Sequence, residues 1–334
     1  MEKASANPMK EVNINHVRRI MKEIGAATKP ELSKLTGLSV VTINSIVREL
    51  LSSGELVEDE LVSSGGGRPA VTYRFNSNFS HALVIHFHEK QGKDTAVITV
   101  MNLHEDLLMR NEHTFERFDM KLFYEMIEEA LSHFPSIKVI GIGIPGQAVG
   151  GRITISDYED LLGVPFVEEL QNQFGLPVIL ENDVNASISG YCFRNQMSEE
   201  QCVLGIYFPE KYPPGMGIWL NGSIVKGKHG MAGEIQFLPL DVNWRQLVEK
   251  EQFVRTACKV IQSINAVLAP HYIVIYRENV DANLLFQQWE SFVHQYEIPS
   301  TPEIVISNTF HHDFEYGMQR LTLQQLQPAM VQIK

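Results

Sequence analysis

Between residues 28 and 53, the spacing of hydrophobic positions predicts two short helices joined by a tight turn. The second helix is the clearer one, because apolar residues recur every three or four positions along a single face: Ile43, Ile46, Val47, Leu50 and Leu51. The first helix is short and carries Leu32 and Leu35 as its apolar stripe. A turn at Thr36-Gly37-Leu38 separates the two.

The caps and the polar face of the second helix suggest a role for the pair. Thr28 and Glu31 predict a capping box on the first helix, and Ser39 is placed to cap the second. The face opposite the apolar one carries small or polar side chains and one arginine: Val41, Asn44, Ser45, Arg48 and Ser52. Such groups suit close approach to base edges and phosphates in a major groove, so the first four are predicted DNA contacts. An ordinary helical hairpin is the alternative, although its solvated face would usually carry Lys and Glu.

The following segment predicts a β-hairpin wing. Residues 56–60 and 70–75 have strand character, and the glycine-rich stretch 63–69 between them forms the tip. Gly66 allows the backbone to approach a phosphate or the minor groove and Arg68 supplies charge, so both are predicted DNA contacts. With a helix expected from Asn13 to Ile24 beneath the pair, residues 1–76 are predicted to form a winged helix-turn-helix domain. Residues 1–10 are expected to be disordered.

From residue 77 onward the pattern becomes that of an α/β protein. Three strands are predicted first, then helices and strands in alternation, and this series occurs twice. The strands are expected at 82–87, 95–101, 105–110, 137–144, 177–180, 202–208, 272–276 and 303–306, with a hairpin at 215–225. The helices are expected at 120–134, 165–174, 244–268 and 283–295. Residues 77–334 are therefore predicted to form two similar lobes facing a cleft.

Three polar residues in this second part form a candidate ligand site. Asn182 and Asp183 follow a predicted strand, where ligand sites of α/β folds gather, and Glu234 lies in a glycine-rich loop. An amide and two carboxylates can bind the hydroxyl groups of a polyol. The alternative is that each is a turn or capping residue, since Asn and Asp are common in turns.

Charge and composition restrict the function further. The chain of 334 residues has a net charge of -12, but residues 1–76 contain ten Lys and Arg against nine Asp and Glu. The acidic excess therefore belongs to the second part, which would be repelled by DNA. The N-terminus lacks the apolar core of a signal peptide and no apolar run reaches membrane-spanning length, so a cytoplasmic protein that makes no membrane contact is expected. Three widely spaced cysteines predict neither disulfides nor a Cys-x-x-Cys metal site.

Several motifs resemble those of the ROK family, a group of bacterial repressors and sugar kinases with a two-lobed, actin-like (RNase-H-like) domain. They occur in the family's order over about residues 12–280: the winged helix, GIGIPG (141–146), ENDVNA (181–186), Asn221-Gly222 with Lys226-Gly227, and AGEI (232–235). The resemblance implies that Asn182, Asp183 and Glu234 bind sugar hydroxyls and that Asp183 matches the kinases' general base. Asp157 stands where an asparagine that contacts the sugar is usual.

The departures from the family pattern predict that the chain is not an enzyme. Family kinases begin this domain with an Asp-x-Gly-Gly-Thr phosphate loop, where this chain has residues 85–90, IHFHEK. Pro213 replaces the first glycine of a second phosphate loop, and Arg277 begins the stretch where further glycines are usual. The zinc site is lost too, because Gln236-Phe237 replaces Gly-His and no cysteine lies between Cys202 and Cys258. No cofactor, metal or catalytic residue is therefore expected.

The sequence thus predicts a DNA-binding transcriptional regulator, a repressor of carbohydrate genes. Its expected partners are double-stranded operator DNA, a sugar effector and a second copy of the chain, as a homodimer or a dimer of dimers. One alternative is a regulator with a vestigial cleft controlled by a protein partner. The other is a ROK sugar kinase with an added DNA-binding module.

Overall fold

The computed structural model describes residues 8–62, 70–90, 92–116, 118–156, 161–210, 212–246, 249–277 and 280–326. The first part of the chain is a unit of three helices and a small antiparallel sheet, here called the N-terminal unit. Its elements are α1 (Pro8–Ile24), β1 (Ala26–Thr28), α2 (Lys29–Thr36), α3 (Val40–Ser53), β2 (Leu56–Val62) and β3 (Ala70–Phe75). In the sheet, β3 lies between β1 and β2.

The predicted caps and the apolar face of this unit are confirmed. Thr28 and Glu31 exchange the hydrogen bonds of a capping box, and the Ser39 hydroxyl accepts from the backbone N–H of Thr42 at 3.1 Å. The apolar face of α3 is buried against α1, α2 and the sheet through Ile43, Ile46, Val47 and Leu50. The caps and the apolar stripe together explain why the chain folds locally into two helices.

Two details of the unit differ from the prediction. α1 begins at Pro8 rather than at Asn13, so residues 8–10, which were expected to be disordered, are helical. Leu35 was expected in the apolar stripe of α2, yet it is 53 % exposed while Leu32 is fully buried. At 3.6 residues per turn, Leu35 lies about 60° around the helix axis from Leu32, and it is the second-last residue of α2.

The chain then forms a five-stranded sheet with two helices on its outer face, here called lobe I. Its elements are β4 (His81–Lys90), β5 (Lys93–Met101), β6 (Leu107–Phe115), α4 (Met120–His133), β7 (Ile137–Ile144), β8 (Gly146–Val149), β9 (Arg152–Ser156), α5 (Phe166–Phe174) and β10 (Val178–Asn182). The strand order is β10-β7-β4-β5-β6, and β8 pairs with β9 as a separate hairpin. Phe87, Phe123 and Phe166 lie in the core between the sheet and its outer helices.

A second sheet, here called lobe II, repeats this arrangement. Its elements are β11 (Val203–Tyr207), β12 (Gly215–Leu220), β13 (Ser223–Ile224), α7 (Lys250–Leu268), β14 (Tyr272–Tyr276), α8 (Ala282–Gln295) and β15 (Glu303–Ser307). The order is β13-β12-β11-β14-β15, so the first strand is again central, with two antiparallel strands on one side and two parallel strands on the other. The predicted double occurrence of three strands followed by alternating helices and strands is present.

Two element boundaries differ from the predicted ones. β6 was expected at 105–110 but runs over Leu107–Phe115, because Glu105 has φ of 69° in the preceding turn and the later part of this edge strand is polar. α7 was expected to begin at Trp244 but begins at Lys250. The side chain of Asn243 accepts the backbone N–H of Arg245 at 3.1 Å and holds that segment in a turn.

Two long helices that the pattern did not predict lie between the lobes: α6 (Asp183–Arg194) and α9 (Phe310–Gln324). α6 packs on the sheet of lobe II, where Ile188 lies against Gly205 and Gly217. α9 packs on the sheet of lobe I, where Phe314 lies against Gly143. The molecule is therefore layered as outer helices, sheet, the α9 and α6 pair, sheet, and outer helices.

A buried carboxylate fixes the start of α9 to lobe II. Asp313 is fully buried, and its Oδ2 accepts hydrogen bonds from the Tyr276 hydroxyl at 3.1 Å and the Thr309 hydroxyl at 2.8 Å. Arg194, at the end of α6, lies 2.7 Å from the other oxygen. Burial raises the pKa of the Asp313 carboxyl, and these three donors stabilise its charged form.

The N-terminal unit contacts lobe I through the turn between β5 and β6. Leu103 packs against the core of the unit, and the ring of His104 lies 5.5 Å from that of Phe75. Glu105, in the same turn, forms an ion pair with Arg320 of α9. One turn of lobe I thus contacts both the N-terminal unit and the helix between the lobes.

Candidate functional site

One candidate site lies where β7 and β10 end side by side. The two strands are parallel, and Ile144 lies opposite Asn182 at their carboxyl ends. Asn182 caps α6 by accepting the backbone N–H of Asn185 at 2.7 Å, and Asp183 is the first residue of that helix. Ligands of α/β proteins bind beyond the carboxyl ends of such strands, and the helix N-terminus adds N–H donors.

Glu234 reaches the same cleft from lobe II, in the loop between β13 and α7. The neighbouring Gly233 has φ of 90°, and a Cβ on it would come within 1.8 Å of the Met216 carbonyl oxygen, so the loop requires glycine there. The Glu234 carboxylate accepts two hydrogen bonds, from Gln147 Nε2 at 2.6 Å and from Gln236 Nε2 at 2.9 Å. Because Gln147 belongs to β8 of lobe I, the first of these bonds crosses the cleft.

A second polar contact crosses the cleft nearby. Lys226 of lobe II lies 2.8 Å from Glu181 Oε2 at the end of β10. The other oxygen of Glu181 accepts from Asn185 Nδ2 at 3.1 Å. The two lobes are thus joined by an ion pair and by a hydrogen bond from an amide to a carboxylate.

A small cavity lies among these side chains. The cavity they enclose measures about 50 Å³ and is lined by Gln147, Glu181, Asn182, Asn185, Lys226 and Gly230 among others. Small-molecule pockets usually measure roughly 300 to 1,000 Å³. A groove of about 300 Å³ lies between α8 and β15, but its lining is largely apolar and it is remote from these polar residues. We assign the candidate site to the smaller cavity because the carboxylates and amides converge there.

The structure brings together only part of the predicted ligand site and adds residues to it. Asn182 lines the cavity, and the next residue, Asp183, is the first of α6. Glu234 accepts a hydrogen bond from Gln147, which lines the cavity. Asp157 lies outside the described residues. Sequence reasoning missed Gln147, Glu181 and Lys226. Glu181 and Lys226 lie within the motifs quoted above, so those motifs could have indicated them. The only sequence signal for Gln147 is its position directly after Pro145-Gly146.

A cluster of histidines occupies the end of β4. His86 is 3 % exposed, and its ring contacts Phe314 edge to face at 5.2 Å between centroids and His88 at 5.8 Å. The ring of His311, from α9, lies 5.5 Å from that of His88. Burial lowers the pKa of His86 to about 4, so its imidazole is neutral at neutral pH. β4 continues past these residues into its hairpin with β5, where Glu89 lies opposite Asp94.

The second candidate surface is the outer face of α3. Val41 is 79 % exposed, Ser45 and Arg48 are exposed, and Asn44 is half-buried on the same side. These four predicted residues lie on the side of α3 away from its buried face. Gly66 and Arg68, the predicted contacts of the wing, lie outside the described residues.

The described ranges hold neither a candidate metal site nor a candidate membrane span. No group of three or more His, Cys, Asp and Glu side chains there is arranged to hold a metal ion. No helix there is both long and apolar enough to cross a bilayer. Cys192, Cys202 and Cys258 are buried free thiols.

Comparisons with known proteins show what this chain is similar to. Residues 91–247 match the model of the ROK family. The xylose repressor of Caldicellulosiruptor bescii is 24% identical over 238 residues, covering 68% of this chain and 58% of its own length. The xylose repressor of Bacillus subtilis is 22% identical, covering 73% and 64% respectively. The DNA-binding transcriptional dual regulator NagC of Escherichia coli K12 is 22% identical, covering 70% and 58%. The chain thus spans about 58 to 64% of the length of these curated relatives.

Solved structures share the fold. A ROK family transcriptional regulator, described as a homologue of the E. coli MLC protein, superposes with a TM-score of 0.64 at 18% identity. That match covers 96% of this chain and all of the other. The ROK hexokinase of Thermus thermophilus superposes with a TM-score of 0.59 at 16% identity, covering 74% of this chain and 99% of its own.

Proposed function

We propose that this chain, which carries a ROK family domain, is a sequence-specific DNA-binding repressor of carbohydrate genes that a sugar or sugar derivative releases from its operator. The observation that carries the proposal is the combination, in one chain, of a helix with an exposed small and polar face and a two-lobed domain with a polyol-type cleft. Repressors among its relatives support both halves.

The N-terminal unit supplies the DNA reader in this proposal, as a winged helix-turn-helix within residues 1–76. α3 enters the major groove with Val41, Asn44, Ser45 and Arg48 toward the base edges and phosphates. Gly66 and Arg68 contact the backbone or the minor groove from the wing. Net charge in this part of the chain is close to zero, so affinity for non-specific DNA is modest and specific contacts supply the rest.

The cleft of residues 77–334 supplies the sensor. Asn182, Asp183 and Glu234, with Asp157, bind the hydroxyl groups of the effector. A ligand that prefers the DNA-incompetent form by about 100-fold shifts the equilibrium by about 2.7 kcal/mol, enough to release an operator. In a homodimer or a dimer of dimers, two readers would face half-sites one or more helical turns apart, about 34 Å per turn. The protein acts in the cytoplasm, where its operator is.

We assign no catalytic role and no cofactor to the domain. In a kinase the first phosphate loop would lie where β4 passes into its hairpin, and here the buried His86 and the ring of His88 stand at that place. Phosphoryl transfer needs a loop whose backbone N–H groups cradle phosphates, and bulky rings do not provide one. A sugar kinase with an added DNA reader is the rival, and ATP turnover with any hexose would support it.

The deciding experiment is binding of the purified protein to the DNA upstream of its own gene. Fluorescence anisotropy at physiological salt with excess competitor DNA separates specific from non-specific binding. Repeating it with a panel of sugars and sugar phosphates identifies the effector. We expect competitor-resistant binding that one sugar releases.

Other outcomes would lead to different conclusions. Specific binding that no sugar alters would favour a vestigial cleft and control by a protein partner. This alternative is motivated by Gln236-Phe237, which stands where the family usually has Gly-His. A third outcome is that competitor DNA abolishes binding both at this site and at sites selected from random sequence. That result would contradict the proposal that the protein is a sequence-specific regulator.

A further inference from the structure

Both carboxylate oxygens of Glu234 are engaged by amide groups of the protein itself. Oε1 accepts from Gln147 and Oε2 accepts from Gln236. A carboxylate has acceptor sites on both oxygens and can hold two donors at once. The two amides therefore take one acceptor site on each oxygen, and two hydroxyl donors of a bound sugar could use those same sites.

The size of the cavity supports the same conclusion. It measures about 50 Å³, and Gln147, which is 7 % exposed, forms part of its wall. A sugar does not fit this cavity unless the side chains that line it move. Glutamine side chains have three rotatable bonds, so the amide groups of Gln147 and Gln236 can change position by side-chain rotation.

We propose that Gln147 and Gln236 act as a built-in competitor for the ligand. A neutral sugar or polyol enters by replacing the two amides on Glu234 with two adjacent hydroxyl groups. Glu234 keeps two hydrogen bonds throughout, so the exchange leaves neither carboxylate oxygen without a donor. This inference rests on the proposed function, because it specifies the ligand class and the regulation of the same cleft.

The exchange has a consequence for the lobes. Gln147 belongs to lobe I and Glu234 to lobe II, so their bond is a bridge across the cleft. A ligand that takes the place of Gln147 breaks this bridge and leaves the contact between Lys226 and Glu181. Ligand entry therefore loosens one of the polar contacts that join the lobes, which makes the occupied state structurally different from the empty one.

The test is a set of substitutions that remove the amide donors but keep much of the side-chain volume. Gln147→Leu, Gln236→Leu and the double variant are titrated calorimetrically with D-xylose, D-glucose and N-acetyl-D-glucosamine. Each single variant should bind the best of these sugars roughly 2- to 10-fold more tightly, since one intramolecular hydrogen bond no longer competes. The double variant should bind more tightly still. Gln173→Leu, an exposed glutamine of α5 in lobe I, is the matched control and should bind as the unchanged protein does.

A second measurement concerns the ligand. Monodeoxy analogues of the best sugar should show their two largest losses of affinity at adjacent carbons, because Glu234 holds a neighbouring pair of hydroxyls. Gln147→Ala replaces Gln147→Leu if thermal unfolding shows that the leucine variant is not folded.

Two results would overturn the proposal. Weaker binding in either glutamine variant would mean that the amides hold the ligand directly instead of competing with it. Absence of binding by all three sugars, in the double variant as well as the unchanged protein, would remove Glu234 from the ligand site. Operator binding is measured with the same preparations. If specific DNA binding is retained, the proposed function as a DNA-binding regulator still holds, and only the inference about the two glutamines has failed.

Discussion

Gly190 of α6 and Gly317 of α9 face each other where the two central helices cross. A Cβ on Gly190 would lie 1.9 Å from the carbonyl oxygen of Asp313 and 2.8 Å from the backbone nitrogen of Gly317. A Cβ on Gly317 would lie 1.8 Å from the carbonyl oxygen of Ala186. Neither glycine has a positive φ, so the close approach of the helices, and not an unusual backbone conformation, requires both of them.

Gly190→Ala is therefore expected to destabilise the molecule. The added methyl group meets backbone atoms, which cannot rotate away, so the helices must separate and the layers on both sides must shift. Overpacking of this kind usually costs about 1 to 3 kcal/mol, and the contact with backbone places this site at the upper end. Urea unfolding measures the loss.

Gln173→Ala, on the exposed face of α5, is the control for that measurement and should change the free energy of unfolding by no more than about 0.5 kcal/mol. If Gly190→Ala behaved like this control, the crossing would be more adaptable than its geometry indicates.

Comparing α3 with α6 and α9 shows where sequence reasoning about the fold succeeds and where it fails. α3 was predicted because it has one apolar face, one polar face and a capping serine. Nine of the twelve residues of α6 are buried, including Asn185 and Ser187, so its sequence lacks the alternation that marks a surface helix. α9 is likewise in contact on two sides and buries Asp313 and Thr322.

The candidate site was predictable in part for a related reason. Asn182 and Asp183 follow a strand directly, and Glu234 lies in a recognisable glycine-rich motif. The bond from Gln147 to Glu234 joins residues 87 positions apart on different lobes. Such a contact depends on how the lobes face each other, and periodicity within a segment carries no information about that.

His86 should make the protein sensitive to acid. Burial lowers its pKa to about 4 from an ordinary value of 6.5, so the unfolded chain binds a proton that the folded chain refuses between these values. Stability from this residue is therefore full above pH 6.5 and is lost as the pH falls through that range. The loss amounts to about 2 kcal/mol at pH 5. His88, His311, Glu315 and Arg110 face the same cluster and shift this figure.

The check compares urea unfolding at pH 7 and pH 5 for His86→Leu and for His133→Leu, an exposed histidine of α4. The difference between the two pH values should shrink by about 2 kcal/mol in His86→Leu and stay unchanged in the control. An equal pH dependence in both variants would mean that the folded chain protonates His86 readily.

Arg48→Ala should weaken specific DNA binding more than non-specific binding. Arg48 is exposed on the outer face of α3, where a guanidinium reaches base edges, and a good base contact is worth about 1 to 3 kcal/mol. Anisotropy titrations with operator and with unrelated DNA give the two affinities at one salt concentration. Lys121→Ala, which removes a positive charge from α4 of lobe I, should leave both affinities unchanged. Equal losses on the two DNAs for Arg48→Ala would mean that the side chain contacts phosphate only.

Asp183→Asn should abolish the response to sugar and leave the reader intact. The substitution keeps the size of the side chain at the start of α6 but removes its charge and one acceptor oxygen, so a hydroxyl that donates to Asp183 loses its partner. The concentration of sugar needed for half-release of the operator should rise at least about tenfold, in line with the loss of a charged hydrogen bond. Operator affinity without sugar should stay within about twofold, since the N-terminal unit lies at the other end of lobe I. Glu168→Gln, an exposed carboxylate of α5, is the control for charge alone. A normal sugar response in Asp183→Asn would place this residue outside the ligand site. Asn182 and Glu234 would then remain as polar residues of the site.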